Sequence, residues 1–233
     1  MMNKLILLLL LLSSSSIFGK EKVTLATFLI PRYIESANSG EFVELAKSLA
    51  RNAGYELELK IYPAKRSLNT FIEGNVDGYF PALDSMNAGN VYKTSNFYLK
   101  EDFIFQLKES DYKKIKNPKA CLTRGYPYTK EVLESKSWKL YYAKSDQHCL
   151  ELLKIGRVQL FIGEEVTALS ALKSSNLIDK VYYNKNTPIS TQNVYFAFSE
   201  SERGKIFSQK FDFALKKMMM SGEFESILPG KEK

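Results

Sequence analysis

The sequence has few of the residues that bind metal ions or act as nucleophiles. Among 233 residues it contains one histidine, His148, and two cysteines, Cys121 and Cys149. A structural zinc site takes about four Cys or His ligands, so the sequence predicts no metal site and no cofactor. A catalytic thiol is disfavoured as well, because the single His is adjacent in sequence to Cys149 and no other base is evident. The composition argues against a zinc enzyme and against a cysteine-dependent enzyme.

Long apolar segments are absent beyond the amino terminus. Residues 5–12 form an unbroken apolar run that follows Lys4 and precedes serines and Gly19, which is the layout of a secretory signal peptide. The run is too short to cross a bilayer, since that takes roughly 20 apolar residues. We therefore expect residues 1–19 to be a signal peptide and the rest to be a periplasmic protein without membrane insertion. No Cys follows the run, so we expect no lipid anchor.

The charge is basic but mixed. The chain has 33 Lys and Arg against 26 Asp and Glu, and loss of Lys4 with the signal lowers the net charge from +7 to +6. The densest basic cluster, between residues 113 and 119, is small, so we interpret the lysines as a solvated surface and expect no nucleic-acid partner. A hydrophobic fraction of 45% excludes general disorder. The length fits one large domain or two lobes of about 100 residues each.

The predicted export bears on whether the two cysteines are bonded to each other. An oxidising compartment favours a disulfide between Cys121 and Cys149. Such a bond would close a loop of about 30 residues and stabilise the fold by about 3–4 kcal/mol. The alternative is a pair of buried free thiols.

The pattern of apolar residues predicts alternating strands and helices. The first cycle has strands at residues 23–29, 56–62 and 76–81, with helices at 41–52 and 66–73 between them. This β-α-β-α-β order is typical of a parallel sheet covered by helices. A further strand is predicted at residues 103–107.

A second cycle follows from residue 118 and resembles the first. Its predicted strands are at residues 120–123, 138–142, 158–162, 181–183 and 193–198, and its helices at 129–134, 147–154, 165–173 and 202–220. In both cycles a helix ends at a glycine, Gly74 or Gly156, and a buried strand begins two residues later. Two α/β lobes on one plan would place the carboxyl ends of their strands around a shared cleft.

The order of several short motifs resembles the extracellular solute-binding proteins of family 3, the periplasmic receptors of ABC importers for polar amino acids. The resemblance covers essentially the whole mature chain and is carried by Gly40 before a helix, residues 62–66 (YPAKR), 73–78 (EGNVDG), 156–158 (GRV) and Gly222. It implies an α/β, type II periplasmic-binding-protein-like fold with two lobes joined by a two-strand hinge. The implied boundaries are 20–102 with 192–233 for lobe one, 107–187 for lobe two, and a hinge near 101–106 and 188–193.

The resemblance also implies ligand contacts in lobe two. In the family an acidic residue after a lobe-two strand meets the substrate amino group, and Glu164 matches that position, although the usual residue is Asp. Its alternative role is a helix-start acid stabilised by the helix dipole. Backbone N–H groups at a lobe-two helix start meet the substrate carboxylate, and the matching turn contributes Tyr126, Tyr128 and Thr129.

Lobe one departs from the family pattern. The usual carboxylate-binding Arg is replaced by Asn87, which puts bidentate carboxylate recognition in doubt. Arg66, after the second strand, is a possible substitute, or else a surface arginine. Tyr33 and Phe80 are candidate cleft aromatics that could instead pack in the core, and Asp84 is a candidate lobe-one acid.

The resemblance implies a monomeric receptor that closes around a small polar, amino-acid-like solute and passes it to an ABC permease without performing chemistry. A ligand-sensing module on the same fold is the first alternative. The second is a dehydratase-like enzyme with Glu164 as general acid.

Overall fold

The computed structural model describes residues 20–86 and 89–229, so the predicted signal peptide and Asn87 lie outside the described residues. The elements up to the chain midpoint are β1 (Lys22–Thr27), α1 (Glu41–Ala53), β2 (Glu56–Ile61), α2 (Ala64–Ile72), β3 (Gly78–Leu83), β4 (Val91–Lys93) and β5 (Tyr98–Leu107). After a 3-10 turn at Tyr112–Lys114 come β6 (Lys119–Thr123), α3 (Lys130–Leu133), β7 (Lys139–Ala143), α4 (Asp146–Lys154), β8 (Leu160–Glu164), α5 (Glu165–Ser174), β9 (Val181–Tyr182), β10 (Ser190–Ser199), α6 (Glu202–Ser221) and α7 (Glu223–Ile227). None of the helices in these ranges combines the length and the apolar character that a membrane crossing requires.

The strands of the described chain form one mixed sheet in the order β2-β1-β3-β10-β5-β8-β6-β7, with β4 beside β10 and β9 beside β5. One arrangement occurs twice. Strand β1 lies between β2 and β3, parallel to both, and β10 is antiparallel to β3. Likewise β6 lies between β7 and β8, parallel to both, and β5 is antiparallel to β8. The predicted α/β class and its repeated plan are confirmed.

We use lobe one for the part built on β1–β4, α1, α2, α6 and α7, and lobe two for the part built on β6–β9 and α3–α5. The residue boundaries implied by the resemblance stay predictions. Strand β5 pairs with β10 from Tyr98 to Asp102 and with β8 from Asp102 to Phe105. The long strands β5 and β10 are therefore the described segments that join the lobes, and they overlap the predicted hinge.

Lobe one has a large aromatic core between the sheet and helices α1 and α6. The fully buried rings of Phe196, Phe198, Phe207 and Phe211 contact one another there, with ring centroids 5.1–6.0 Å apart. Helix α1 ends at Ala53 and is capped by Gly54, whose φ of 88° is one that glycine adopts without strain.

Lobe two has a smaller core, centred on Phe105, Phe161 and the leucines of α4. The predicted disulfide is present: Cys121 of β6 is bonded to Cys149 of α4, and both are fully buried. The bond attaches the helix to the central strand of this lobe. A cross-link of this kind stabilises mainly by restricting the unfolded chain, which suits the lobe with the smaller core.

Candidate ligand-binding cleft

A small cavity lies between the lobes. Lobe one lines it with apolar and aromatic side chains from the segment after β1, from α1 and from β3, namely Phe28, Ile30, Tyr33, Phe42, Pro81 and Leu83. The joining strands contribute Tyr98, Lys100 and Val194, and lobe two contributes Tyr126, Pro127, Glu164 and Thr167. The free volume is about 50 Å³, whereas pockets that hold small ligands usually have about 300–1,000 Å³. In this arrangement of the lobes the cavity is narrower than such pockets.

A second groove, here called the outer groove, shares Phe28 and Tyr126 with the cavity. It runs between Ile61 and Tyr62 of lobe one and Arg124 and Lys144 of lobe two. The lobes approach closely here, since a Cβ atom on Gly125 would lie 4.0 Å from the Cβ of Ala64. Arg124 and Lys144 are solvent-exposed, so water and salt screen their charges.

Three side chains connect the lobes inside the cavity, and we call them the Tyr–Glu bridge: Tyr33, Tyr98 and Glu164. The hydroxyl of Tyr98 donates to Oε1 of Glu164 at 2.6 Å and lies 2.8 Å from the hydroxyl of Tyr33. The backbone N–H of Thr167 donates to Oε2 of Glu164 at 2.9 Å. Glu164 is thus both the N-cap of α5 and the lobe-two end of the bridge, and it is buried.

The environment keeps the two phenols protonated. Burial raises the pKa of Tyr98 far above its usual range, and the charge of Glu164 raises it further. The same two causes, in the same order, raise the pKa of Tyr33. Because Tyr98 uses its proton for Glu164, Tyr33 is the donor between the two hydroxyls. The carboxylate therefore accepts from Tyr98 of the joining strand and from Thr167 of lobe two, and Tyr33 of lobe one is linked to it through Tyr98.

The position of Tyr33 depends on a glycine. The N–H of Phe42 donates to the carbonyl oxygen of Tyr33 at 2.9 Å, which brings the start of α1 against this residue. A Cβ on Gly40 would lie 2.4 Å from the same oxygen, and Gly40 has a φ of 118°. Only glycine fits at this point, so Gly40 allows Tyr33 and Phe42 to stack with ring centroids 4.4 Å apart.

Lys100 is the cation at the cavity wall, and it is already paired. Its ammonium lies 2.5 Å from each carboxylate oxygen of Asp102. The hydroxyl of Ser190 also donates to Asp102 at 2.8 Å, and the ammonium lies 5.4 Å from the ring centroid of Tyr128. Lys100 and Asp102 are both buried, and they form a neutral pair in which Lys100 lines the cavity and Asp102 lies behind it.

Another carboxylate, that of Asp146, lies behind the lobe-two wall at the first residue of α4. It is buried and accepts a hydrogen bond from the hydroxyl of Thr123. Burial raises the pKa of Asp146, the Thr123 hydrogen bond opposes that rise, and the nearby charge of Glu164 adds to it. Burial also raises the pKa of Tyr126, followed by the charges of Asp146 and Glu164. Lobe two therefore has one carboxyl group at the cavity surface, that of Glu164, and a second, that of Asp146, buried behind it.

The structure brings three of the predicted site residues, Tyr33, Tyr126 and Glu164, together at the cavity. Tyr128 is buried behind them, where its hydroxyl accepts from the N–H of Thr123 at 3.0 Å and donates to a backbone carbonyl of β8. Thr129 starts helix α3 and is not among the residues that line the cavity. Neither Tyr128 nor Thr129 therefore forms part of the cavity surface.

The other predicted site residues lie away from the cavity, and we leave them out of the site. Phe80 is fully buried in the lobe-one core and stacks on Phe196 with ring centroids 4.9 Å apart. Arg66 is exposed on α2, with its guanidinium 5.2 Å from the ring centroid of Tyr62. Asp84 is exposed and accepts a hydrogen bond from the side-chain amide of Asn193 at 3.1 Å.

Residues that the sequence interpretation missed are Lys100, Asp102, Asp146 and Thr167, and the role of Tyr98. The sequence contained a pattern that pointed to three of these residues. Tyr98, Lys100 and Asp102 occupy every second position of β5, so their side chains share one face of the strand. Asp146 could have been found as the start of the helix that follows β7. Within the described ranges, no group of three or more His, Cys, Asp or Glu side chains is arranged to hold a metal ion.

Comparisons with known proteins identify the fold. Neither the known family models nor the curated proteins contain a match to this chain. Solved structures do match. The ligand-binding core of GluR0 from Nostoc punctiforme, in complex with L-glutamate, has 14% identity and a TM-score of 0.74, covering 88% of this chain and 96% of that chain.

Two further structures have the same fold. The arginine-, lysine-, histidine-binding protein ArtJ from Geobacillus stearothermophilus has 18% identity and a TM-score of 0.68, covering 91% of this chain and 97% of that one. A histidine kinase sensor domain similar to periplasmic binding proteins has 17% identity and a TM-score of 0.71, covering 89% and 94%. The type II periplasmic-binding-protein-like fold implied by the resemblance is confirmed.

Proposed function

We propose that this protein is a periplasmic receptor that captures a small, polar, amino-acid-like solute between its lobes and delivers it to an ABC importer. The observation that carries the proposal is the buried carboxylate of Glu164 in a cavity between the two similarly built lobes. Ligands of α/β sheets bind beyond the carboxyl ends of the strands. Amino-acid binding by ArtJ, which has the same fold, supports this reading.

The contacts between the lobes are suited to opening and closing. The Tyr–Glu bridge is made of hydrogen bonds that a polar ligand can replace. Gln192 of β10 makes a second connection, because its amide accepts from the N–H of Ser85 at 3.2 Å and donates to the carbonyl of Pro127 at 3.3 Å. Closure by rotation about β5 and β10 is the hinge motion that we expect for this fold.

Binding without chemistry is favoured over the dehydratase-like alternative. A general acid must carry a proton that it can give to the substrate. Both oxygens of Glu164 instead accept hydrogen bonds, one from a phenol and one from a backbone N–H. This is the arrangement of an ionised carboxylate that recognises a donor on the ligand.

A thermal-shift screen of the mature protein, residues 20–233, against amino acids and related amines tests the proposal. A ligand at 100 times its Kd adds about 2.7 kcal/mol to the free energy of unfolding, so at least one compound should raise Tm. Glu164→Gln should lose the response. Glu165→Gln should keep it, because that side chain contacts the hydroxyl of Tyr183 at 3.0 Å instead. A screen without any stabiliser, or a Glu164→Gln variant that responds like the parent, would contradict the proposal.

A ligand-sensing module is the second candidate, and the similarity to a histidine kinase sensor domain supports it. Solute uptake separates the two roles. If the protein serves an importer, deletion of its gene should abolish uptake of the labelled solute at low concentration, and the gene restored on a plasmid should recover it. A sensor would leave uptake unchanged and alter the transcriptional response to the same solute.

A further inference from the structure

We infer that the solute bound in this cleft is a small organic cation with a primary ammonium group and an apolar body, and without a carboxylate. The inference rests on the proposed receptor function and names its class of ligand. It follows from the charges, the hydrogen-bonding groups and the rings around the cavity.

The buried charges around the cavity favour a cation. Lys100 and Asp102 neutralise each other, which leaves Glu164 as the acidic side chain that lines the cavity without an ion pair among the described residues, with the carboxyl group of Asp146 buried behind it. Glu164 is 6% exposed, so solvent screens its charge weakly. An ammonium group in the cavity would be attracted by Glu164, whereas a carboxylate would face that negative charge in a closed space.

A ligand carboxylate would also need a cationic partner, and the described wall offers only Lys100. Moving that ammonium toward a ligand would leave Asp102, which is 1% exposed, as an unpaired buried charge. Breaking a buried pair in this way is strongly unfavourable. Arg66 lies outside the cavity, and Arg124 lies in the outer groove with its side chain exposed to solvent.

The Tyr–Glu bridge offers acceptors for an ammonium group. When the cleft opens, Glu164 loses the hydroxyl of Tyr98, and a donor on the ligand can take its place at Oε1. The oxygens of Tyr33 and Tyr98 are further acceptors, so the three N–H bonds of a primary ammonium can each find a partner. A charge-assisted hydrogen bond to a buried carboxylate is stronger than the phenol contact that it replaces.

The rest of the cavity suits the body of such a ligand. The rings of Phe28, Tyr33, Phe42, Tyr98 and Tyr126 line it, and aromatic faces attract ammonium groups. Apolar side chains of β3 and β10 complete the wall. A ligand that is apolar apart from its ammonium group would leave few polar atoms without partners.

Matched pairs of compounds that differ only in the carboxylate test this inference on the parent protein. The pairs are phenethylamine with phenylalanine, tyramine with tyrosine, histamine with histidine, cadaverine with lysine and agmatine with arginine. Isothermal titration calorimetry should show that the amine of at least one pair binds at least tenfold more tightly than its amino acid. Tighter or equal binding of the amino acid in every responding pair would overturn the inference and leave the receptor proposal standing. No binding by either member of any pair would contradict both.

Two further measurements test the contacts of the best amine. Its trimethylated form has the same charge but no N–H bonds, so it should bind at least tenfold more weakly. Equal binding of that form would overturn the assignment of a primary ammonium group. Glu164→Gln should weaken the amine at least tenfold in a variant that circular dichroism shows to be folded, while Glu165→Gln should leave its Kd unchanged. Unchanged binding in Glu164→Gln would also overturn the inference.

Discussion

The two walls of the cleft are built on the same β-α-β plan, yet they present opposite chemistry. Lobe one presents rings and aliphatic side chains because the segment after β1 and the start of α1 extend its aromatic core to the cavity, as the stacked pair Tyr33 and Phe42 illustrates. Lobe two presents a carboxylate because helix α5 begins at the cavity with Glu164 as its N-cap, and the carboxyl group of Asp146, in the first turn of α4, lies buried behind this wall. Acidic groups are stabilised at helix starts by unpaired N–H groups and by the helix dipole. A repeated backbone plan therefore does not imply a repeated surface.

The two cores differ as well. Lobe one relies on a continuous set of buried rings between its sheet and the long helices α1 and α6. Lobe two has fewer rings and a disulfide between its central strand and α4. Lobe one should therefore be sensitive to loss of packing, and lobe two to loss of its cross-link.

The largest expected loss of stability comes from a substitution in the lobe-one core. Phe211→Ala removes a fully buried ring that contacts Phe196 and Phe198, so the free energy of unfolding should fall by about 3–5 kcal/mol in urea titrations. Phe213→Ala is the matched control on the same helix, since that ring is 72% exposed, and it should change stability by about 0.5 kcal/mol or less. Equal losses in the two variants would show that α6 does not pack as described.

The second-largest expected loss of stability comes from removal of the disulfide in lobe two. Replacing both Cys121 and Cys149 by alanine should lower the free energy of unfolding by about 3–4 kcal/mol, because the unfolded chain regains the freedom of the closed loop. Amide hydrogen exchange should accelerate in β6 and α4 before it does in α1. A reducing agent should destabilise the parent and leave the double variant unchanged. Uniform acceleration across both lobes would refute the idea that the disulfide mainly stabilises lobe two.

The smallest expected loss of stability comes from breaking the Tyr–Glu bridge between the two walls of the cleft. Tyr98→Phe removes the hydroxyl that joins Tyr33 to Glu164, so stability should fall by about 1–2 kcal/mol and small-angle X-ray scattering should show a more open molecule. Tyr79→Phe is the control, because the hydroxyl of Tyr79 is buried with no hydrogen-bond partner in the described part of the chain. Its removal should be neutral or slightly stabilising. If both variants behave alike, the bridge does not hold the lobes together.

The regular elements could be predicted where the apolar pattern is clean. The helix predicted at residues 41–52 is α1, Glu41–Ala53, and the strictly alternating strand predicted at 56–62 is β2, Glu56–Ile61. The strand predicted at 103–107 is only the end of β5, Tyr98–Leu107. Its first half contains Lys100, Glu101 and Asp102, and charged residues conceal a strand when their partners lie on other segments.

What the sequence by itself determined is local or depends on few residues: the periods of the helices and strands, the repeated plan, and the one disulfide that two cysteines allow in a chain predicted to be exported. Only the tertiary structure decided which strand-end residues meet. From the sequence, Phe80 and Tyr33 were equally good candidates for cleft aromatics. In the structure, Phe80 faces the lobe-one core, whereas Tyr33 faces Tyr98. Lys100 could be understood only once Asp102 and Ser190 were placed beside it. Contacts across a cleft depend on the orientation of two bodies, and no periodicity along the chain encodes that orientation.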